Sequence, residues 1–374
     1  MKISVLQENL ARGLNIVSRS VSTRATLPIL SNILLSTDQG RLKLSATNLE
    51  TGINLWVGAK IEEEGSITIP AKVINEFISS LPPEKVDLLI KETTLSIKSG
   101  SFKATVVGTL ASEFPQIPSF SGKPILIFDK EDLVSSLSQV VFAAAQDEGR
   151  PVLTSVFLKN EKDGKISLVA TDGYRLSIKT LQVKENKIEE NLLIPAKTFL
   201  EISRLAQEKS ETKDVQLGLT PEKSQVIFNL SDIEFSSRLL EGEFPDFEKI
   251  IPQSSTTTAE FDKEEFARSV KIASIFAREQ SNIIKLKIET ADGGRLTVSA
   301  ETPQVGNNES EMTARVQGEP LEIAFNYRFL LDFLSNVKGE EIIFEAAGPL
   351  TAGVFKVKGD SSYLHLIMPV RIQE

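Results

Sequence analysis

The sequence predicts an α+β protein built from three tandem homologous domains, each with two helices packed on antiparallel sheets. Three observations support this fold class. Short motifs recur about every 125–130 residues, a helix-forming pattern opens each recurrence, and alternating polar and apolar residues fill the segments between helices. The predicted domains cover residues 1–123, 124–253 and 254–374.

Three motifs that keep the same order along the chain carry the repeat. The copies of the first motif lie at 69–72, 194–197 and 325–328. Those of the second lie at 44–48, 168–172 and 298–302, and those of the third at 114–115, 244–245 and 368–369. The period is far longer than the roughly 20–50 residues of solenoid repeats. It therefore indicates whole domains and not short stacked units.

The first helix of each domain is predicted from a capping signal and apolar residues at helical spacing. Ser4 and Gln7 form a capping-box pattern, and Asp129 and Asp262 precede the corresponding helices. The predicted buried positions are Leu6, Leu10, Leu14 and Val17, then Leu133, Leu137, Val140 and Val141, then Phe266, Val270 and Ala273.

The second helix of each domain is predicted to open at Pro70, Pro195 or Asn326. Its predicted buried stripe consists of Val73, Phe77 and Leu81, then Phe199, Ile202 and Leu205, then Phe329, Phe333 and Val337. Strands are predicted from polar and apolar alternation at 41–46, 94–98, 165–170, 295–300 and 354–358. Proline, serine, glycine and threonine concentrate at 115–123 and 252–258, which predicts linkers there.

The composition excludes several classes of protein. The 374 residues include no cysteine and one histidine, which excludes disulfides, thiolate sites and multi-histidine zinc sites, and we expect no metal and no cofactor. No apolar run approaches the roughly 18–20 residues that cross a bilayer, and the start lacks a secretory signal, so we expect a cytoplasmic protein without a membrane partner. The net charge of −9 argues against a uniformly basic surface but permits a basic stripe.

No pattern of catalytic residues is found. Gly122-Lys123 lacks the upstream glycine of a phosphate-binding loop, and Gly293-Gly294 is typical of a hairpin turn. His365 lies in a strand-like run, where a histidine without a partner is more often packed than catalytic. Because no nucleophile and base can be paired, we predict a binding protein with no catalytic residue.

A basic residue recurs near the start of every second helix, at Lys72, Lys197 and Arg328, and Arg24 follows the first helix of the chain. Taken singly, each of these basic residues is explained as a solvated side chain on an exposed helix face. Recurrence at one position favours contacts with the phosphates of a polyanion, which carry no sequence information. The residues by themselves leave both interpretations open.

Several longer motifs resemble one known family over the whole chain. They lie at 24–32, 169–176, 242–246 and 368–371, and they are similar to those of the beta subunit of bacterial DNA polymerase III, the replicative sliding clamp family. The resemblance implies the DNA clamp fold and a head-to-tail homodimer closed into a ring around double-stranded DNA, with helices lining the hole. Its implied function is to tether the polymerase for processivity, with DNA contacts that are independent of sequence.

The resemblance also implies an apolar cleft that binds short linear motifs of the DNA polymerase III alpha subunit, the clamp loader, other polymerases and repair proteins. Carried over by position, the cleft residues are Leu153, Thr171, Gly173, Tyr174, Arg175, Leu176, Pro245, Ile250, Asn326, Phe329, Leu366, Met368, Pro369, Val370 and Arg371. Arg175 and Asn326 are expected to orient the peptide, and aliphatic walls with a methionine suit an apolar anchor.

For the subunit interface, the resemblance points to Phe102, Ile275 and Phe276. The chain departs from the family pattern near the cleft. Pro151 and Val152 replace aromatic residues seen in some members, although Arg150 beside them is expected to contact phosphate. Lys249 replaces an arginine and Ser281 an apolar residue, changes that would shift which partner motifs are preferred.

Two other functions compete with a clamp on DNA. A three-domain scaffold that binds peptides and has no role on DNA would need the cleft residues alone. An enzyme with an unrecognised site is the third alternative. The recurrent basic position separates the first two, because only a DNA-bound protein requires it.

Overall fold

The computed structural model describes residues 1–22, 27–208, 212–278, 282–303 and 306–371. Arg24 and Ser281, which the sequence analysis singled out, lie outside these residues. None of the described helices is long and apolar enough to cross a membrane.

The described part of the chain contains six α-helices. They are α1 (Gln7–Val17), α2 (Ala71–Ser79), α3 (Lys130–Val140), α4 (Ala196–Ala206), α5 (Lys263–Ala277) and α6 (Tyr327–Asn336). The strands of the first repeat are β1 (Lys2–Leu6), β2 (Asn32–Asp38), β3 (Arg41–Thr47), β4 (Thr51–Val57), β5 (Ala59–Glu63), β6 (Ser66–Pro70), β7 (Lys85–Lys91), β8 (Thr94–Ser99) and β9 (Phe102–Val107).

The strands of the second repeat are β10 (Leu126–Asp129), β11 (Ser155–Asn160), β12 (Lys165–Thr171), β13 (Arg175–Gln182), β14 (Glu185–Asn186), β15 (Leu192–Pro195), β16 (Asp214–Leu219), β17 (Gln225–Asn229) and β18 (Ile233–Arg238). Those of the third are β19 (Thr257–Asp262), β20 (Ile283–Glu289), β21 (Arg295–Thr302), β22 (Gly306–Thr313), β23 (Arg315–Gly318), β24 (Leu321–Asn326), β25 (Glu341–Ala346), β26 (Gly353–Val357) and β27 (Tyr363–Ile367).

The element order confirms the threefold repeat. In each repeat of the described chain, one strand is followed by a helix, five strands, the second helix and three strands. Each repeat also forms the same two half-sheets, which are antiparallel throughout. One half-sheet has the order β5-β1-β7-β8-β9 in the first repeat, and the other has the order β4-β3-β2-β6. The α+β fold class predicted from the sequence is therefore correct.

Half-sheets of neighbouring repeats join edge to edge. Strand β18 of the second repeat pairs with β4 of the first, and β27 of the third pairs with β13 of the second. Each junction produces a nine-stranded sheet. Among the described strands, β9 and β22 are left at the ends of the remaining five-stranded and four-stranded sheets.

By its contacts the chain divides into two compact units. The first comprises 1–130, 184–187 and 201–239, and the second comprises 131–183, 188–200 and 240–374. The second repeat therefore contributes one half-sheet to each unit. In the first unit α1 packs on α2, β3 and β4, and in the second α5 packs on α6 and on β20 to β22. The domain boundaries after residues 123 and 253 remain a prediction.

Most residues predicted to be buried in the helices are buried, with two errors. Leu6 is the exposed last residue of β1, and Val73 is exposed because α2 buries Ile74 and Ile78 instead. Phe77 and Phe329 are half-buried. Leu6 was wrong because it belongs to β1 and not to α1, and Val73 was wrong because apolar residues on several sides of the nine-residue helix α2 fit more than one stripe.

The capping prediction was wrong for the first helix. Ser4 lies inside β1, where its hydroxyl donates to the Asp87 carboxylate at 2.5 Å, and α1 begins at Gln7 without a side-chain cap. In the third repeat the prediction is confirmed, because the Asp262 carboxylate accepts a hydrogen bond from the Glu265 amide at 2.7 Å. Alternative hydrogen bonds within a strand competed with the cap in the first repeat.

The segment after each of the first two repeats lies over a sheet junction, and we call these segments the first strap (114–120) and the second strap (244–250). A Cβ atom at Gly52 would lie 2.7 Å from the Ile117 side chain of the first strap, so a larger residue there would displace that side chain. In the second strap Phe247 is buried with Leu176 and Leu366. Each strap therefore covers the strands that join two repeats.

The third copy of the Phe-Pro motif is not equivalent to the other two. Met368 directly follows β27, whereas Phe114 and Phe244 come several residues after the corresponding strands β9 and β18. The third copy therefore does not occupy the place in the fold that the two strap motifs share.

Candidate functional site

The recurrent basic residues occupy one structural position. Lys72, Lys197 and Arg328 are each the second residue of α2, α4 and α6, and all three are exposed. The Lys197 ammonium lies 3.6 Å from the Glu148 carboxylate, but both side chains are more than four-fifths exposed, so this ion pair adds little. The equivalence predicted from the sequence is present, and contact with DNA stays a prediction.

The cleft residues predicted from the family all lie in the second unit, and a hydrogen-bonded turn presents several of them. The Thr171 hydroxyl donates to the Arg175 carbonyl at 2.6 Å, and the Asp172 carboxylate accepts from the amides of Tyr174 and Arg175 at 2.8 and 3.0 Å. Gly173 has a φ of +93°, which favours glycine. The turn holds Tyr174 in solvent, with 62% of the residue exposed.

Arg175 is part of the wall of the cleft. Its side chain is 9% exposed, and its guanidinium donates to Asp172 at 3.0 Å, to Asp332 at 2.5 Å and to the Phe142 carbonyl at 2.9 Å. It also lies over the rings of Phe142 and Phe329, 5.4 and 4.7 Å from their centroids. Three of its five N–H groups thus serve contacts within the fold, and the role of orienting a peptide stays a prediction.

The floor of the cleft is apolar. Leu176 and Leu366 face each other in neighbouring strands and are buried with Val169, Ala352 and Phe247. Sequence reasoning missed Ala352, which lies outside the quoted family motifs, and Phe247, which begins a short 3-10 helix directly after the motif at 242–246.

Exposed apolar side chains form the rim. Tyr174, Ile250 and Met368 are exposed although they are large and apolar. The Met368 amide donates to the Tyr174 carbonyl at 2.8 Å, which joins the end of the chain to the turn. Exposed apolar residues over an apolar floor are typical of a binding site.

The other predicted cleft residues differ in exposure. Leu153 is buried, while Pro369 and Val370 are half-buried and Pro245 and Arg371 are exposed. The Val370 amide donates to the Ala324 carbonyl at 2.8 Å, so the terminal segment runs along the edge strand β24.

Two polar side chains near the cleft serve the fold. The Asn326 side chain caps α6, because its Oδ1 accepts from the Arg328 amide at 3.0 Å, and its contact with a peptide stays a prediction. The Arg150 guanidinium donates to the Asp172 carbonyl at 3.3 Å and so lies beside the turn that carries Tyr174. Its contact with phosphate stays a prediction.

His365 is packed beneath this site and is not catalytic. It is fully buried, its Nδ1 shares a hydrogen bond of 2.7 Å with the Ser177 hydroxyl, and its ring stacks on Phe333 at 5.1 Å. Burial, followed by the positive charge of Arg175, lowers the pKa of His365 to about 3. The imidazole is therefore neutral at physiological pH.

The residues predicted for the subunit interface are accessible to different degrees. Phe102 on β9 and Ile275 on α5 are about half exposed, whereas Phe276 is half-buried against the core of the second unit. Among the described residues, no group of three or more His, Asp or Glu side chains could hold a metal ion.

Family models match nearly the whole chain. Those of the DNA polymerase III beta subunit match with the N-terminal domain at 1–118, the central domain at 128–246 and the C-terminal domain at 248–371. The beta sliding clamp of Synechococcus elongatus is 30% identical over 381 residues, which cover 100% of both chains. That of Bacillus subtilis is 29% identical over 384 residues, which cover 99% of this chain and 100% of the relative.

Solved structures show the same likeness. The DNA polymerase sliding clamp of Bacillus subtilis matches with a TM-score of 0.94 at 28% identity and covers 100% of both chains. A sliding clamp of Pseudomonas aeruginosa bound to griselimycin matches with a TM-score of 0.92 at 27% identity, again over 100% of both chains. By sequence and by fold, this chain belongs to the DNA polymerase III beta subunit family of bacterial sliding clamps, which are processivity factors and not enzymes.

Proposed function

We propose that this sliding clamp works as a head-to-tail homodimer closed into a ring around double-stranded DNA. The observation that carries the proposal is the pair of strand edges left over by the repeat. Strands β4 and β13 each pair with the last strand of the following repeat, and β22 is their equivalent in the third repeat. Its missing partner corresponds to β9, the last strand of the first repeat, which a second copy supplies.

The two observed junctions predict the register of the third. Ile53 faces Phe235 in the first junction, and Ser177 faces His365 in the second. The pairing within each half-sheet makes Asn308 on β22 the equivalent of Ile53 and Ser177.

By the same pairings, Ala104 on β9 is the equivalent of Phe235 and His365. Asn308 of one copy then faces Ala104 of the second copy. In an antiparallel pair this register sets Glu309 opposite Lys103 of the second copy, and these opposite charges attract.

A helix-end contact supports Ile275 as an interface residue. Phe142 and Ile275 both lie twelve residues after the first residue of α3 and α5, respectively. The Phe142 ring packs 5.4 Å from the ring of His365, across the second junction. The equivalent contact brings Ile275 to the neighbourhood of Ala104 and Phe102 of the second copy, beside Phe276.

We propose that Lys72, Lys197 and Arg328 contact the phosphates of the encircled DNA, together with Arg24 and Arg150. The support is the shared position and exposure of the first three residues on a protein of net charge −9. Contacts with phosphates alone suit a ring that slides, because they do not depend on sequence. A scaffold without a role on DNA, which the sequence left open, is not supported by the family assignment.

Charge reversal at the three helix positions is expected to weaken DNA binding without affecting the dimer. Each phosphate contact that is lost lowers the slope of log K against log salt by about 0.9. The variant with Lys72, Lys197 and Arg328 changed to glutamate should therefore show a shallower slope in fluorescence anisotropy with a short duplex. The control variant reverses Lys60, Lys91 and Lys162, exposed lysines outside these helices, and should keep the slope.

Encirclement itself is tested with DNA topology. Clamps loaded by a purified clamp loader on nicked circular DNA should elute with the circle in gel filtration and be released when a restriction enzyme linearises it. Equal retention on circular and linear DNA would contradict the ring, whereas an unchanged salt slope would remove only the three cations from its lining.

We propose that the cleft binds short apolar motifs of the DNA polymerase III alpha subunit, the clamp loader, other polymerases and repair proteins. Two features support this proposal. Leu176 and Leu366 form an apolar floor, and the rim carries the exposed side chains of Tyr174, Ile250 and Met368. We further propose that griselimycin binds in this cleft. The protein is also proposed to act in the cytoplasm, where the bacterial chromosome is replicated.

Changing Ile250 to aspartate is expected to reduce binding of griselimycin and of the alpha subunit at least tenfold, because burying an uncompensated carboxylate in an apolar site is costly. Since Ile250 is exposed in the free protein, the fold should remain intact. Isothermal titration calorimetry measures both affinities. The matched control is Leu49→Asp, an exposed leucine of the first unit, and equal losses in both variants would argue against the cleft.

A further inference from the structure

Beneath the rim of the cleft, one guanidinium connects three separate elements of the second unit. Arg175 donates to Asp172 in the turn before β13, to the carbonyl of Phe142 just after α3, and to Asp332 in α6. Because a guanidinium is a rigid planar fork, holding it in one place fixes the relative positions of all three elements.

The same guanidinium supports the aromatic rim. It lies 4.7 Å from the Phe329 ring, and the Phe329 ring in turn stacks on Tyr174 at 6.4 Å with an interplanar angle of 21°. Phe329 and Asp332 are three residues apart in α6 and therefore face the same side of that helix. The side chains form one continuous series from Asp332 through Arg175 and Phe329 to Tyr174.

We propose that Asp332 is a positioning residue of the cleft, which holds Arg175 and thereby keeps the Phe329 and Tyr174 rings in the arrangement that receives a peptide. The inference rests on the proposed function of the cleft. Asp332 itself is half exposed and fills no core position, so its removal leaves no cavity. Asp172 already accepts from two backbone amides of its own turn, which leaves Asp332 as the carboxylate that ties Arg175 to α6.

The change Asp332→Asn preserves the shape of the side chain and removes its charge. The guanidinium then keeps Asp172 and the Phe142 carbonyl but loses its charged partner in α6. Loss of one charge-assisted hydrogen bond corresponds to about a tenfold change in an equilibrium constant. We expect griselimycin, used as the probe of the cleft, to bind about tenfold more weakly, with the loss in the dissociation rate.

A matched control is available in the same unit. Glu322 on β24 is half exposed and pairs with Lys285 at 3.7 Å, so Glu322→Gln removes an equivalent charge that does not pair with Arg175. This variant should bind griselimycin as the wild type does. Asp332→Glu keeps the charge and should restore at least part of the lost affinity. In an Arg175→Met background, adding Asp332→Asn should change nothing further, because the group on which it acts is gone.

A second readout needs no ligand. The chain has three tyrosines, and of these Tyr327 and Tyr363 are buried while Tyr174 is exposed. Labelling with 3-fluorotyrosine therefore gives three fluorine resonances, and the Tyr174→Phe variant identifies that of Tyr174. Asp332→Asn should shift and broaden the Tyr174 resonance in the free protein, and Glu322→Gln should not.

The outcomes separate the two proposals. Wild-type protein that fails to bind griselimycin contradicts the proposed cleft, while the Tyr174 resonance still decides whether Asp332 positions the rim. An Asp332→Asn variant with wild-type affinity and an unchanged Tyr174 resonance overturns the positioning role. The positioning role would also be overturned if Asp332→Asn lowered the affinity equally in the wild type and in the Arg175→Met background. Asp332 would then act independently of Arg175.

Discussion

Replacing Ile275 by aspartate should convert the dimer into monomers. In the proposed ring each of the two seams buries one Ile275 side chain, and burial of an isoleucine is worth about 1.5–3 kcal/mol. Because this burial energy is lost at both seams and a carboxylate is buried instead, the dimer dissociation constant should rise at least a hundredfold. Sedimentation velocity at micromolar concentration should show a single species with the mass of one chain, and the variant should no longer remain on circular DNA.

Leu200→Asp is the matched control, because Leu200 is a comparably exposed apolar residue on the helix α4, outside the edge strands β9 and β22. It should leave the dimer intact. A charge exchange then tests the register: Lys103→Glu sets two acidic residues opposite each other and weakens the dimer, and adding Glu309→Lys restores it. A dimer that persists in Ile275→Asp, or a double variant that is no better than Lys103→Glu alone, would refute this seam.

Acid should destabilise the second unit through His365. Burial lowers the pKa of this histidine to about 3, whereas the unfolded chain titrates near 6.5. The stabilising effect of the neutral imidazole is therefore complete above pH 6.5 and is lost as the pH falls toward 3. Over that interval the shift corresponds to about 5 kcal/mol of unfolding free energy.

The variant His365→Gln removes the titration and keeps a hydrogen-bonding partner for Ser177. Calorimetric melting temperatures of the variant and the wild type should converge as the pH is lowered from 7.5 to 4.5, because only the wild type must protonate an imidazole. Ser177→Ala keeps the imidazole and should remain acid-sensitive. Parallel pH profiles for His365→Gln and the wild type would show that His365 does not control acid stability.

Local patterns determined much of the fold. Strands such as 94–98 alternate strictly, and the first helices of the second and third repeats carry apolar residues at one spacing, so their elements and buried faces were predictable. The errors occur where one local signal has two uses. Ser4 matches a helix cap but bonds to Asp87 of a neighbouring strand, and Val73 lies on a helix whose apolar residues fit two stripes.

The site was predictable to a smaller extent. The family motifs identified the cleft residues, but they could not show that the guanidinium of Arg175 is directed inward to Asp332 and Phe142. Those partners come from elements 157 and 33 residues away in the chain. Neither residue has a local pattern that marks it, because its role depends on contacts formed only in the folded chain.

The sequence by itself determined that this protein is a threefold repeat of one α+β domain, with a cation at the same place on each second helix. Periodicity and spacing are local properties, so the residues along the chain suffice to specify them. Only the tertiary structure decided which strand edges join, that Gly52 accommodates Ile117, and that β9 and β22 remain for a second copy. These depend on side chains from distant segments occupying the same space, which no local pattern encodes.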